Sequence, residues 1–495
     1  MALIGSPTSA GVEASGLPAC LEASPADVLS LFLRLLPAEY FAHLRKEEKI
    51  RQNNRVYTHA VVMWLMIVQR LLRNASQETA VLEVVRGLPE DFWPQPCKRL
   101  RVGPEGQKPK LSGNTGSYNN ARQDLPLTIV EQCADRALRQ LTEQVEGSLA
   151  TAGRKAFFVD GSTMRMPHTE ELYTLYPPGS NQHGESHWPL LRIVVAHDLY
   201  SGLAMRPQWG PINGDHAVSE QGLLEQAMDR LPDGCVVVGD ANFGVFSVVY
   251  AARQRGHPVV LRLTTVRANA LAREALRDGI DRRIQWKPSR DDRRSHPQLP
   301  VDACVEGRLI VSQEQPSNGE EPFLLALFTT LEDEPDQITE LYGHRWNIET
   351  DLRSLKGTLG LEQLTCTTPE MVAKEIDVAM LAYNLVRAVT CLAAQKAGLR
   401  PREFSFTRVR NVINAFAPLI AAAPDRRQAQ HLFDKMMYYV SQAKLPKRHR
   451  KRTSYSRAVW PKPQKYPTRK EKDATVSAGL EFPKSADLKF PSSAG

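Results

Sequence analysis

The sequence lacks the marks of disulfide, metal-cluster and membrane chemistry. Its seven cysteines are scattered from Cys20 to Cys391, with no CxxC pair and no paired histidine spacing, which excludes a zinc site and predicts free thiols in a reducing cytoplasm. Near the N-terminus the longest purely apolar run, Ala60 to Val68, is too short to span a bilayer, and no membrane segment is expected. The first 25 residues are rich in Ala, Ser, Gly and Pro without a basic start or a sustained apolar stretch, so they read as a disordered leader and not as a signal peptide. There is no P-loop, no GxSxG elbow and no defensible Ser-His-Asp order. Acid is almost missing from one stretch. Between Lys444 and Lys472 twelve Lys and Arg stand against Glu471 alone, a local charge of +11 in a chain whose net charge is +8. Tyr455, Trp460 and Tyr466 are interleaved there, a composition suited to nucleic-acid phosphate and bases, with a merely solvated tail as the alternative.

What remains is globular in composition, 42% apolar and 24% charged, and 495 residues are too many for one compact core, so two to four modules are expected. Residues 26–36, 58–72, 77–85 and 127–141 carry apolar side chains at three- and four-residue spacing, predicting a helical N-terminal module. Its loop holds Lys98, Arg99, Arg101, Lys108 and Lys110, which suits a DNA reader, while a dimerisation bundle fits equally well. After Lys155 short β-rich runs alternate with helical ones: 156–159, 190–196, 203–208, 235–238 and 258–263 as strands, 221–230 and 246–255 as helices. The pattern predicts an α/β fold with a mixed sheet flanked by helices. Polar text with weak strands follows, to a closing strand at 323–330, and then helices at 342–356, 371–396 and 407–420.

Chemistry concentrates in three carboxylates and one charged helix edge. Asp160 and Asp240 each end a predicted strand, where ligand sites of α/β sheets gather, and Glu349 lies on a helix after the sheet. On one helix at about 100° per residue, Tyr342, Arg345, Glu349, Arg353 and Lys356 fall within roughly 80° of one another, beside a separate apolar stripe of leucines and Ile348. A surface helix with i,i+4 ion pairs would explain the charges alone, but not the tyrosine aligned with them. Carboxylates converging from separate elements suit phosphodiester chemistry, in which two divalent ions about 4 Å apart activate a nucleophile and neutralise the leaving oxygen. A haloacid dehalogenase site would need a second Asp where Ser162 stands. Asp198 and Asp215 have similar local claims, so strand-end position alone does not select Asp160 and Asp240.

The spacing Tyr342, Arg345, Glu349, Lys356 resembles the YREK signature of insertion-sequence family 4 DDE transposases, and Asp160-Gly161-Ser162 is similar to their first catalytic motif. The likeness runs from about Lys155 to Phe406, with Ser117 to Pro126 (SYNNARQDLP) similar to the segment preceding the first strand and Lys465-Tyr466-Pro467 to the family's basic end. Asn242 departs from it, since many relatives carry Gly there. The resemblance implies an RNase H-like core at 151–264 and 332–406, split by a β-rich insertion at 265–331; it does not cover the N-terminal 110 residues, where composition and periodicity give a leader (1–25) and a helical DNA-binding domain (26–150), and a helical and basic C-terminal region fills 407–495. It implies that Asp160, Asp240 and Glu349 hold two Mg²⁺ ions, with Mn²⁺ able to substitute, and that Tyr342, Arg345 and Lys356 grip DNA phosphates. Trp286 and Trp346 become candidates for stacking a flipped base. The implied activity is cut-and-paste transposition by a homodimer on double-stranded terminal inverted repeats and target DNA, in the cytoplasm on the nucleoid. A catalytically retired DNA-binding protein and a nuclease without strand transfer are the alternatives.

Overall fold

The side chains of Ala156–Arg165 (β1) alternate between two cores, with Phe158 and Met164 in one and Phe157 and Val159 in the other, so both faces of this strand are covered. The computed structural model describes residues 27–50, 55–100, 111–145, 153–181, 184–185, 187–315 and 321–445. The leader, residues 101–110 of the basic loop, and the basic segment beyond Leu445, with Lys465-Tyr466-Pro467, lie outside the described residues.

Around β1 lie Leu190–Asp198 (β2), Gln208–Pro211 (β3), Val236–Gly239 (β4), Val259–Arg262 (β5), Ile280–Trp286 (β6), Val305–Glu314 (β7) and Phe323–Thr329 (β8). They form one eight-stranded sheet in the order β3-β2-β1-β4-β5-β8-β7-β6. Within it β1 is antiparallel to β2 but parallel to β4, and β4 is parallel to β5. The first five strands thus give the 3-2-1-4-5 order and mixed polarity expected of an RNase H-like core. The segment expected as a β-rich insertion supplies three strands, but they are not a separate sheet. β8 pairs with β5, with Leu327 opposite Arg262, and its side chains divide between the same two cores, so the segment widens the central sheet by β8, β7 and β6.

One face of the sheet is covered by Glu220–Ala227 (a helix) and Phe246–Gln254, whose Leu223, Leu224, Phe246 and Val249 share a core with the insertion's Trp286 and Phe328. The other face carries the long helix Pro369–Lys396, started by the Thr368 cap on the Met371 amide and by proline in the first turn. It is long and apolar enough to cross a membrane, yet its most apolar stretch is wholly inside the fold. Charged groups buried along it tie surrounding elements together. Glu375 pairs with Arg70 and accepts from the Cys366 amide at 2.8 Å. Asp377 takes the Arg206 guanidinium at 2.8 and 3.0 Å, and Arg206 also holds Glu131 at 2.6 Å. Lys374 donates to the Gln123 carbonyl at 3.1 Å. Consequently the helices of residues 28–144 pack on the long helix in the same core as the sheet's inner face, and the expected boundary near residue 150 does not divide the hydrophobic core.

Two buried histidines make this fold acid-sensitive. Burial pushes His59 and His197 down to about 4, from an ordinary 6.5. Below pH 6.5 the unfolded chain takes up these protons while the folded chain refuses them, so stability is full above 6.5 and is lost as pH falls toward 4. Each histidine contributes a slope of at most about 1.4 kcal/mol per pH unit in that window. Urea midpoints across pH 4–8 should show the fall, and H197Q should flatten it whatever its effect on stability at pH 8; an unchanged slope would count against this assignment.

Candidate active site

The parallel pairing of β1 and β4 ends with Val159 opposite Gly239, so the next residues, Asp160 within β1 and Asp240 just past the carboxyl end of β4, lie side by side; the expected strand end at Asp160 is not observed. β4 stops there while β1 runs on to Arg165, which leaves a notch beside the extended part of β1. By the alternation of β1, Asp160 and Ser162 share the face of Phe158 and Met164, the face against which Trp346–Arg353 packs. Asp160 accepts from the Gly161 amide at 2.8 Å. Burial, then the neighbouring carboxylates of Asp240, Glu220 and Glu349, push its pKa up to about 7 despite that hydrogen bond. These groups therefore feel one another electrostatically.

Asp240 sits in a tight turn. Its carboxylate accepts from the Asn242 amide at 2.9 Å and its carbonyl from the Phe243 amide at 3.1 Å. At Gly244 a Cβ would collide with the Arg262 carbonyl, so only glycine lets the turn lie against β5. By contrast Asp198 is a buried turn residue, accepting from the Ser201 amide at 2.8 Å, and Asp215 is exposed.

The expected single helix over 342–356 is three pieces: the helix Pro335–Gly343, the helix Trp346–Arg353 and a π-helical turn, Ser354–Thr358. At the first junction the amides of Arg345, Asn347 and Ile348 bond three residues back instead of four, and at the second Leu359 bonds five back, to Ser354 at 3.0 Å. The breaks redistribute the charged edge. Tyr342 is only 3% exposed and packs on Phe158 with ring centroids 6.4 Å apart, its buried hydroxyl close to the Arg262 side chain. Burial pushes its phenol up, against the nearby Arg345 and Arg262. Arg345 lies 3.9 Å from Glu349, which is exposed. Lys356, on the π turn, reaches across to donate to Ser162 Oγ at 3.2 Å. Glu349 and Lys356 thus both face the extended end of β1, whereas Tyr342 lies beneath the surface.

Trp286 is a correction. As the last residue of β6 it is 4% exposed, set edge-on to Phe328 at 4.9 Å and Phe246 at 6.2 Å, so no ring face is open to a base. Trp346 begins its helix, but its side chain lies outside the described residues. Sequence reasoning also missed Glu220 and Arg192, which stand 3.8 Å apart beside Gly161. The available signal was the Ser219-Glu220 helix start and the glycine next to Asp160.

The oxygen donors suit a hard divalent cation, and mutual repulsion at Asp160 is what such a cation relieves. As placed, no three His, Cys, Asp or Glu among the described residues are close enough to share an ion. The exposed Glu349 carboxylate lies 3.9 Å from Arg345. The arrangement sets Asp160 and Asp240 opposite helical segments that carry Glu349 with the cations Arg345 and Lys356, a mixture of charges that fits a phosphodiester better than a neutral substrate.

Comparison with known proteins bears on this geometry. Residues 151–385, which contain all three carboxylates, match a family model described as a transposase DDE domain. A curated relative, the transposase InsG for insertion sequence element IS4 of Escherichia coli (strain K12), is 27% identical over 328 residues, covering 64% of this chain and 70% of the relative.

Proposed function

We propose that the chain, whose residues 151–385 match the transposase DDE domain, is a DDE transposase of insertion-sequence family 4 that binds the terminal inverted repeats of its element, cuts there with Mg²⁺ and joins the freed ends to target DNA. On this reading it works as a homodimer on the nucleoid, in the cytoplasm. The observation that carries the proposal is the adjacency of Asp160 and Asp240, each one residue past the last parallel pair of β1 and β4, with Glu349 and Lys356 facing them from the following helical segments. Transposase DDE domains use divalent metal ions. In this chain Asp160, Asp240 and Glu349 would hold them, and the ions would supply activation of water or a DNA 3′-hydroxyl and neutralisation of the leaving oxygen.

The other residues have tasks that their own chemistry defines. Lys356 sits beside Ser162, where its ammonium can hold a phosphate next to the scissile one, and Arg345 can take a second phosphate while restraining Glu349. The buried Tyr342 hydroxyl, beside Arg262, is a donor that a phosphate oxygen would take up on a small shift of the helix junction. Tyr466, Trp460 and the cations around them would track the DNA backbone.

The direct test incubates the full chain with a duplex carrying the repeats that flank its coding DNA. Mg²⁺ should yield cleaved ends and then joined products. Cleavage without joining would favour the nuclease reading, and binding without cleavage the retired protein. K356A and R345A should each weaken DNA binding and cleavage without changing the Mg²⁺ requirement. Removing one phosphate-neutralising cation should also make the slope of log affinity against log salt shallower by about 0.9. An unaltered slope and rate would remove these residues from the phosphate grip.

A further inference from the structure

Around Asp160, Glu220 is the carboxylate that no strand end or catalytic-helix position supplies, and we infer that it is a positioning residue for Asp240. This rests on the assignment of Asp160, Asp240 and Glu349 as the reacting centre. Glu220 opens the helix Glu220–Ala227 after the Ser219 cap, whose hydroxyl accepts from the Gly222 amide at 3.0 Å. Its side chain crosses β1 where Gly161 stands, and a Cβ at 161 would overlap it. Beyond that crossing, Glu220 accepts from the Asn242 side-chain amide. The Asn242 backbone amide in turn donates to Asp240 at 2.9 Å. The next residue secures the same turn from the other side, since Gln221 Nε2 donates to Asn242 Oδ1 at 2.9 Å and to the Asn242 carbonyl at 2.8 Å. Arg192 of β2, 3.8 Å from Glu220 and itself bonded to the Val218 carbonyl at 2.7 Å, anchors the other end.

The chain Arg192, Glu220, Asn242, Asp240 therefore links β2 to the turn after β4 by passing over the glycine that follows Asp160. Such a link is needed because β4 is only four residues long and the Asp240 turn extends past its last pair. The pleat shows why Glu220 guides instead of ligating. Position 161 faces the helix Glu220–Ala227, whereas Asp160 points to the opposite face, toward Glu349. The Asn242 side-chain amide gives Glu220 something to hold. Partners one step removed from a metal typically cost 10–100-fold in affinity or activity when lost.

The test uses the full-length protein with three readouts: cleavage of the repeat duplex, the Mg²⁺ concentration at half-maximal rate, and binding of Mn²⁺ alone by electron paramagnetic resonance. E220A should lower kcat by about 10–100-fold and weaken Mn²⁺ binding, with DNA affinity retained. E220Q keeps an oxygen acceptor for Asn242 and should recover most of that loss. G161A should reproduce the E220A phenotype by displacing the side chain, and urea midpoints near the wild-type value would exclude misfolding as its cause. E220Q as damaging as E220A would mean that the charge itself is required, overturning the positioning role in favour of a metal ligand. E220A matching wild type in rate and Mn²⁺ binding would also overturn it. If D160A and E349A cleave normally, it is the assignment of the centre that fails, a result distinct from either.

Discussion

Replacing Asp160 by alanine is expected to reduce metal-dependent cleavage of a repeat duplex by roughly 10³-fold or more, with DNA binding nearly intact, because removing one member of a group that acts as a unit costs about as much as removing several. The same substitution should not lower the unfolding midpoint in metal-free buffer above pH 7. Burial and three neighbouring carboxylates raise the Asp160 pKa from 3.8 to about 7, so the folded chain holds a proton that the unfolded chain releases. Stability from this group is therefore present at low pH and lost as pH rises from about 4 to about 7. Above that window the ionised side chain works against the fold, and D160A relieves it. Loss of cleavage with a preserved or raised urea midpoint is the mark of a functional carboxylate, whereas loss of both would mark a structural one. Retained cleavage would sink the assignment of the centre. E349A should lose cleavage likewise, but as an exposed residue it should leave the midpoint unmoved.

Those contrasting environments explain how much of the site could be read from residues alone. Asp240 stands where the apolar run placed it, just past the end of Val236–Gly239, but Asp160, expected at the end of a strand over 156–159, lies inside β1, which pairs with β2 as far as Arg165. Their adjacency was not legible, since it depends on Val159 pairing with Gly239 across a parallel connection of some 80 residues. Periodicity placed the long helix at 371–396 well, against Pro369–Lys396 observed, because its signal is strong throughout. The same periodicity misread 342–356 as one helix. Nothing in a 3.6-residue pattern reveals a junction with bonds three residues back or a π turn, both fixed by packing on β1. Trp286 failed for a related reason: a strand of exposed charges ending in tryptophan does not say which neighbour covers the ring, and Phe328 lies more than 40 positions away. Glu220 was hidden because a glutamate at a helix start is ordinarily a local feature.

Asp351 carries the last expectation, and it concerns what holds Glu349 in place. Two residues along one helix point to nearly opposite sides, so Asp351 faces inward where Glu349 faces out. It is 0% exposed and accepts from Arg387, Arg402 and, at 2.9 Å, the Tyr383 hydroxyl, with His197 Nδ1 at 3.7 Å. Burial alone would raise its pKa, but the Arg402 and Arg387 guanidiniums outweigh burial and hold the carboxyl below its ordinary range. This knot joins the helix of Glu349 to β2, to the long helix and to the turn at Pro401–Glu403. D351A would leave two guanidiniums buried or nearly so without their counter-charge, and breaking a buried pair in this way costs about 3–5 kcal/mol. D351N, which keeps acceptor capacity but no charge, should recover only part of that loss. Urea unfolding at pH 8 would measure both. Because the knot anchors the helix that presents Glu349, cleavage per folded molecule should fall as well, by about 10-fold or more. A midpoint within about 1 kcal/mol of wild type would show that solvent or another carboxylate replaces Asp351. A large stability loss with normal cleavage per folded molecule would instead show that Glu349 is positioned from its outer side, through Arg345, and not from within.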